Sequence, residues 1–284
     1  MNQSDLTIKS PSKINLGLKI INKRDDGYHN IYSVFIELSL CDVLTFIQSD
    51  DLKIEFFNNN LYYNIKVPSK NTVSKAVDLI SSIYNIDIKH TIIINKNIPI
   101  GSGLGGGSSN GAYTLIALNK LYNLNITNES LCNLANQIGS DVPFFIHGGI
   151  KKISGMGNII EDIPSSAIKN KVFLLVIPSF SVSTKEAYQK TKKHLSPIKI
   201  TPKFPSLTNE VDWTLFENDF EHIVCLAYPE ILDIKSLLYK LGALYSGLSG
   251  SGSPVFGIYN DIKSAQIAAE SLDKYQTHIA FPNI

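Results

Sequence analysis

The chain has 284 residues, 44% hydrophobic and 18% charged, with 26 lysines and arginines against 25 aspartates and glutamates and a formal net charge of +1. That length and apolar content suit one large domain or two intimate ones, and exclude a disordered or fibrous chain. The near-neutral charge gives no basic footprint for nucleic acid or an anionic membrane, so an anionic ligand has to be held locally.

MNQSDLTIKS has neither a charged-then-apolar signal pattern nor an Arg-rich amphipathic stretch, and no apolar run approaches the ~20 residues that span a bilayer. A cytoplasmic protein is the expectation. Residues 13–20, KINLGLKI, alternate strictly: Ile14, Leu16, Leu18 and Ile20 on one face, Lys13, Asn15, Gly17 and Lys19 on the other. That period is a strand's, and it puts Lys13 beside Asn15. Asp26-Gly27 is a turn signal and YSVFIELSL at 32–40 resumes the strand pattern, so the opening reads as a β-hairpin. Further strands are expected at 51–57 and 90–95, with a helix from about Thr72 whose apolar stripe is Val73, Ala76, Val77 and Ile80.

Five glycines and three serines fall within residues 101–109, between the apolar run TIII and a helical pattern over 109–122 that carries Leu115, Leu118 and Tyr122. The next helix is better marked. Thr127 can cap it, Glu129 suits its first turn, Leu131, Leu134, Ala135 and Ile138 form its stripe, and Gly139 can end it. Asp141 then lies just past a helix end.

The stretch 150–170 reads as a loop-rich boundary. Beyond it come a buried strand at 172–178, helices at about 184–193, 216–226 and 229–241, two short strands in LYSGLSG and PVFGIY, a helix in IKSAQIAAESLDK and a last strand in THIAF. Setting the extra helices aside, the order is βαββαβ, the ferredoxin-like pattern. Residues 194–209, with their prolines, read as a surface excursion.

Three glycine motifs compete for residues 97–110. A Walker A loop needs a lysine, and none lies between 97 and 119. GxGxxG is met by Gly101, Gly103 and Gly106, but a dinucleotide fold requires a second strand after the helix, and another helix follows here. The protein-kinase loop needs HRD and DFG sequences, which are absent. The physical requirement remains: glycines permit positive φ, so successive N–H groups can line a concavity for phosphate oxygens, reinforced by a helix N-terminus.

Transfer of a phosphoryl group to an alcohol needs charge stabilisation and a proton acceptor. Lys13 and Asp141 are the candidates, each with a plain alternative as a solvated lysine or a turn aspartate. Tyr28 and His29 offer rings that can stack on a planar base or pack on the core. The glycine–serine cluster 247–253 can present more N–H groups or form a tight hairpin. His90, His147, His194 and His222 have no metal-binding spacing, and Cys41, Cys132 and Cys225 are too far apart for one, so no metal site is expected.

PSKINLGL, NIPIGSGLGGGSSN, IGSDVPFF and GLSGSGSPVFG together resemble the GHMP kinase superfamily of small-molecule kinases. Within it, KRDDGYHNIYSVF, SDVPFF, GMGNIIEDI and PSFSVSTKEAY are similar to the branch acting on 4-diphosphocytidyl-2-C-methyl-D-erythritol in the non-mevalonate (MEP) isoprenoid pathway. The resemblance spans nearly the whole chain. It implies an α+β fold of two domains: residues 1–160 like ribosomal protein S5 domain 2, and residues 161–284 ferredoxin-like, with the last residues packing back on the first. It also implies that ATP, with Mg²⁺, phosphorylates the 2-hydroxyl of that small-molecule substrate, without nucleic acid or membrane, in a monomer or homodimer. By the same resemblance Pro99, Ile100, Gly101, Ser102, Gly103, Leu104, Gly105, Gly106, Gly107, Ser108 and Ser109 wrap the ATP phosphates. Asp141 accepts the hydroxyl proton and Lys13 polarises the site, while Asn15, Tyr28 and His29 contact the diphosphocytidyl group and Tyr188 adds a second stacking ring. Ser12, Ser102 and Ser140 stand where such kinases commonly carry alanine, small-for-small exchanges that put no role in doubt. The competing readings are a GHMP kinase of homoserine or mevalonate type and a non-catalytic nucleotide- or RNA-binding module.

Overall fold

The computed structural model describes residues 5–58, 63–64, 68–191, 204–208 and 210–284. The chain divides into two compact units, one formed by Met1–Ser12, Cys41–Ile100 and Gly105–Gly148, the other by Lys13–Leu40, Gly101–Leu104 and Gly149–Ile284. Strands β1 (Leu6–Lys23) and β2 (His29–Gln48) run through both. They are longer than the expected hairpin arms, and the turn between them falls at Asp26-Gly27, where Gly27 has φ +87° and Tyr28 N–H donates to Asp26.

In the first unit, β3 (Lys53–Asn58), β4 (Tyr63–Asn64), helix α1 (Thr72–Tyr84) and strand β5 (His90–Lys96) follow. The C-terminal half of β2 pairs antiparallel with β5, and β5 pairs in parallel with β3. Helices α2 (Gly106–Leu121), α3 (Asn128–Ile138) and α4 (Val142–His147) complete it. Helix α1 starts where its stripe predicts and buries Val73, Ala76, Val77 and Ile80, with Asn71 accepting from the N–H groups of Val73 and Ser74. Helix α3 is capped by Thr127 as expected, its side chain accepting from Ser130 N–H. The structure corrects the start of α2, which begins at Gly106 rather than 109. Glycine carries a backbone-entropy cost in a helix, so Gly106 and Gly107 masked the true start of α2 in the residue pattern.

In the second unit, the N-terminal half of β2 pairs with β6 (Ile150–Ser154), and β6 with β7 (Ile159–Asp162). The loop-rich stretch expected at 150–170 therefore contains a hairpin, turned at Gly155 and Gly157, both with positive φ. Then come β8 (Val172–Ile177), α5 (Thr184–Thr191), α6 (Glu221–Ala227), α7 (Glu230–Lys240), β9 (Tyr245–Leu248), β10 (Val255–Tyr259), α8 (Ile262–Glu270) and β11 (Gln276–Ala280). These four strands form a sheet ordered β11-β8-β10-β9, the ferredoxin-like arrangement of a βαββαβ chain. Its core includes Leu174, Val176, Val224, Ile231, Leu238, Val255 and Ala265. The chain end returns to the same unit, Pro282 bridging to Leu38 and Asn283 donating to Glu37.

The helix expected at 216–226 starts only at Glu221. Residues 217–219 pair with β1 instead: Leu18 N–H donates to Glu217 O, and Asp219 N–H to Leu18 O. A backbone already engaged with a strand cannot also close helical turns. Of the excursion expected at 194–209, residues 194–203 and 209 lie outside the described residues, as do the last two residues of the helix expected at 184–193.

Candidate active site

The glycine stretch alternates in conformation as well as in sequence. Gly101, Gly103 and Gly105 have φ +71°, +73° and +76°, values that side-chain-bearing residues adopt only at a cost. Between them Ser102 and Leu104 are buried, while Gly101 and Gly103 are exposed. Buried side chains thus alternate with exposed glycine backbone along the stretch that leads into α2. Gly105 is the N-cap of α2, and Ser109 N–H closes the first helical bond onto its carbonyl at 2.8 Å. Ser108 is half-buried. Ser109 turns inward, fully buried, its hydroxyl accepting from Ser10 at 2.7 Å. Pro99 is half-buried and Ile100 is exposed. Gly111 allows α2 to close on α1, since a Cβ there would lie 3.0 Å from Thr72 Cβ.

In the second unit Lys13 and Asn15 share a face of β1, as the alternation requires. Lys13 is 4% exposed; its ammonium donates to Asn15 Oδ1 at 2.6 Å and lies 4.6 Å from the centroid of Phe35. Asn15 is held on its other side: its amide donates to Ser33 Oγ, which itself donates to the Gly17 carbonyl. Lys13 N–H donates to Leu104 O at 2.8 Å, tying β1 to the glycine stretch.

The second glycine–serine cluster is the β9–β10 connection, with Leu248 paired to Val255. Ser249 Oγ accepts from Asn15 N–H at 3.4 Å, and a Cβ on Gly103 would meet Gly252 O at 3.3 Å. Asn218, which sequence reasoning missed, organises this turn: its amide donates to Leu248 O and Gly250 O, each at 2.8 Å, while its oxygen accepts from Phe220 N–H. No local signal marks it, because its partners are far away in the chain.

His29 and Tyr188 come together as stacked rings, centroids 4.6 Å apart, and Tyr188 meets buried Phe220 edge-on at 4.8 Å. Tyr28, by contrast, is 65% exposed. In the first unit Asp141 is half-buried at the start of α4, which packs on α2 and α3, and Ser140 Oγ lies 3.5 Å from its carboxylate. Among the described residues no group of three or more His, Cys, Asp or Glu is arranged to hold a metal ion, and no helix is long and apolar enough to cross a membrane.

The GHMP kinases N terminal domain matches residues 71–149, which contain the glycine stretch and Asp141, and the GHMP kinases C terminal domain matches residues 214–277. The chain is 33% identical over 281 residues to 4-diphosphocytidyl-2-C-methyl-D-erythritol kinase of Thermoanaerobacter pseudethanolicus, covering 97% of this chain and 95% of that protein. This chain belongs to the 4-diphosphocytidyl-2-C-methyl-D-erythritol kinase family of GHMP kinases. The member from Thermodesulfovibrio yellowstonii is 39% identical over 279 residues, 95% of each chain. A crystal structure of 4-(cytidine 5'-diphospho)-2C-methyl-D-erythritol kinase superposes with a TM-score of 0.80 at 27% identity, covering 98% of this chain and 100% of that one. The chain is thus a kinase with the two-domain α+β fold of its family, as the sequence motifs implied.

Proposed function

We propose that the protein transfers the terminal phosphoryl group of ATP to the 2-hydroxyl of 4-diphosphocytidyl-2-C-methyl-D-erythritol, in the cytoplasm, as a step of the MEP route to isoprenoids. The observation that carries the reading is the glycine stretch: three positive-φ glycines at alternate positions leading directly into α2, in a chain whose relatives are kinases of this name. Such a backbone fits phosphate oxygens, because the exposed glycines leave room for close approach and the helix N-terminus favours negative charge.

In this reading residues 1–160 supply the nucleotide-binding half, with residues 99–109 around the phosphates, and residues 161–284 the ferredoxin-like half. Mg²⁺ bound to ATP would screen the charge of its phosphates, the chain itself contributing the backbone of residues 99–109. Asp141 accepts the hydroxyl proton as the oxygen attacks, a role that typically contributes ~10²- to 10⁴-fold. Lys13 supplies fixed positive charge, oriented by Asn15 and kept from water by its burial. His29, Tyr188, Tyr28 and Asn15 receive the diphosphocytidyl group, the stacked ring pair suiting a planar base.

An acceptor panel with coupled detection of ADP tests the proposal. ADP release is expected with 4-diphosphocytidyl-2-C-methyl-D-erythritol and not with homoserine, mevalonate or galactose; the reverse pattern would place the chain with another GHMP chemistry.

A further inference from the structure

Asp42 and Lys96 form an ion pair enclosed in the first unit, the aspartate fully buried and the lysine 8% exposed. Neither belongs to the machinery described above. Enclosing two charges is costly unless their geometry compensates, so such a pair calls for a role.

The carboxylate of Asp42 gathers three consecutive residues at the point where β5 releases the chain. One oxygen accepts from the Lys96 ammonium; the other accepts from the backbone N–H groups of Asn97 at 2.8 Å and Ile98 at 2.9 Å. Lys96 and Ile98 in turn form the seat of Gly106, the first residue of α2. A Cβ on Gly106 would lie 2.9 Å from Ile98 Cγ2 and 3.1 Å from Lys96 Nζ. The groups fixed by Asp42 are therefore the ones on which the start of α2 rests.

We propose that the Asp42–Lys96 pair is a positioning device for the phosphate cradle: it fixes the exit of β5 and the seat of Gly106, and so the direction in which the first-turn N–H groups of α2 point. The proposal rests on the reading of residues 99–109 as the ATP-phosphate loop. Lys96 acts through the backbone, its charge answered by Asp42. A purely structural pair would tolerate replacement by neutral side chains of similar size; a positioning pair would keep the fold under that replacement and lose alignment, to which phosphoryl transfer is sensitive.

The test uses the full chain carrying Asp42→Asn together with Lys96→Met, which removes both charges and strands neither. The expected result is a KM for ATP raised about tenfold, an acceptor KM within about twofold of wild type, and faster amide exchange across residues 97–107 with α3 unchanged. Wild-type KM for ATP with wild-type exchange overturns the proposal. Should the double variant fail to fold, Gly106→Ala presses on the same seat with both charges in place; the same selective rise in KM for ATP is expected, and a wild-type value overturns the proposal. Amide exchange needs no nucleotide, so it judges the pair separately from the function: a wild-type chain without ATP turnover would defeat the functional reading, and exchange across 97–107 would still decide this one.

Discussion

The imidazole of His29 lies against the ring of Tyr188 with centroids 4.6 Å apart and planes 19° from parallel. Two residues from opposite parts of the chain thereby make one aromatic surface, steadied by the edge contact of Tyr188 with Phe220. Replacing either ring by alanine should raise the KM for the cytidyl acceptor about 2- to 12-fold, an aromatic contact being worth ~0.5–1.5 kcal/mol beyond its buried area. The KM for ATP should stay near wild type, and the double variant should lose less than the sum, since the rings act as a pair. Steady-state kinetics with each substrate varied separately checks this; equal rises in both constants would argue against a role in the acceptor site.

Asp141→Asn keeps the size of the side chain and removes the proton acceptor. Turnover should fall at least ~100-fold while nucleotide affinity, measured by calorimetry, changes little. Unchanged turnover would remove Asp141 from the base role.

Gly103→Ala tests the cradle backbone. At φ +73°, with Gly252 O 3.3 Å from the new Cβ, alanine should cost about 1–2 kcal/mol of local strain. The outcome expected is a raised KM for ATP with secondary structure by circular dichroism unchanged; a KM for ATP equal to wild type would show that this conformation is not needed.

His90 gives a pH dependence of stability with a definite sign. Burial holds its pKa below the ordinary value of 6.5, and its Nδ1 is within 3.0 Å of the Tyr122 hydroxyl. The unfolded chain therefore binds a proton on His90 more readily than the folded one, and stability falls as the pH drops below about 6.5. The urea midpoint of wild type should drop further between pH 7.5 and 5.5 than that of His90→Gln. An identical drop in both would mean that His90 titrates alike in the folded and unfolded chain.

Much of this was legible in the chain itself, and the reasons are local. Thr127 caps α3 because an N-cap hydroxyl and a helical stripe sit within a few residues of each other, and the alternation of KINLGLKI fixes Lys13 and Asn15 on one face whatever lies around them. What stayed hidden depends on partners distant in sequence. Residues 217–219 have a helical pattern and are claimed by β1; Asp42 reads as an ordinary polar residue until β5 brings Lys96 to it; Asn218 acquires its work only when the β9–β10 turn closes over it. The β6–β7 hairpin is a different case, since its turn glycines in SGMGN were present to be read.

The most direct measurement is the structure of the product. Incubated with ATP and 4-diphosphocytidyl-2-C-methyl-D-erythritol, the protein should yield one ADP per acceptor and a product whose phosphorus NMR spectrum shows, beside the diphosphate pair, a new phosphomonoester without three-bond proton coupling, since C2 bears no hydrogen, and with carbon–phosphorus coupling to C2. No phosphoryl transfer to this acceptor, or a phosphate at another hydroxyl, would contradict the account.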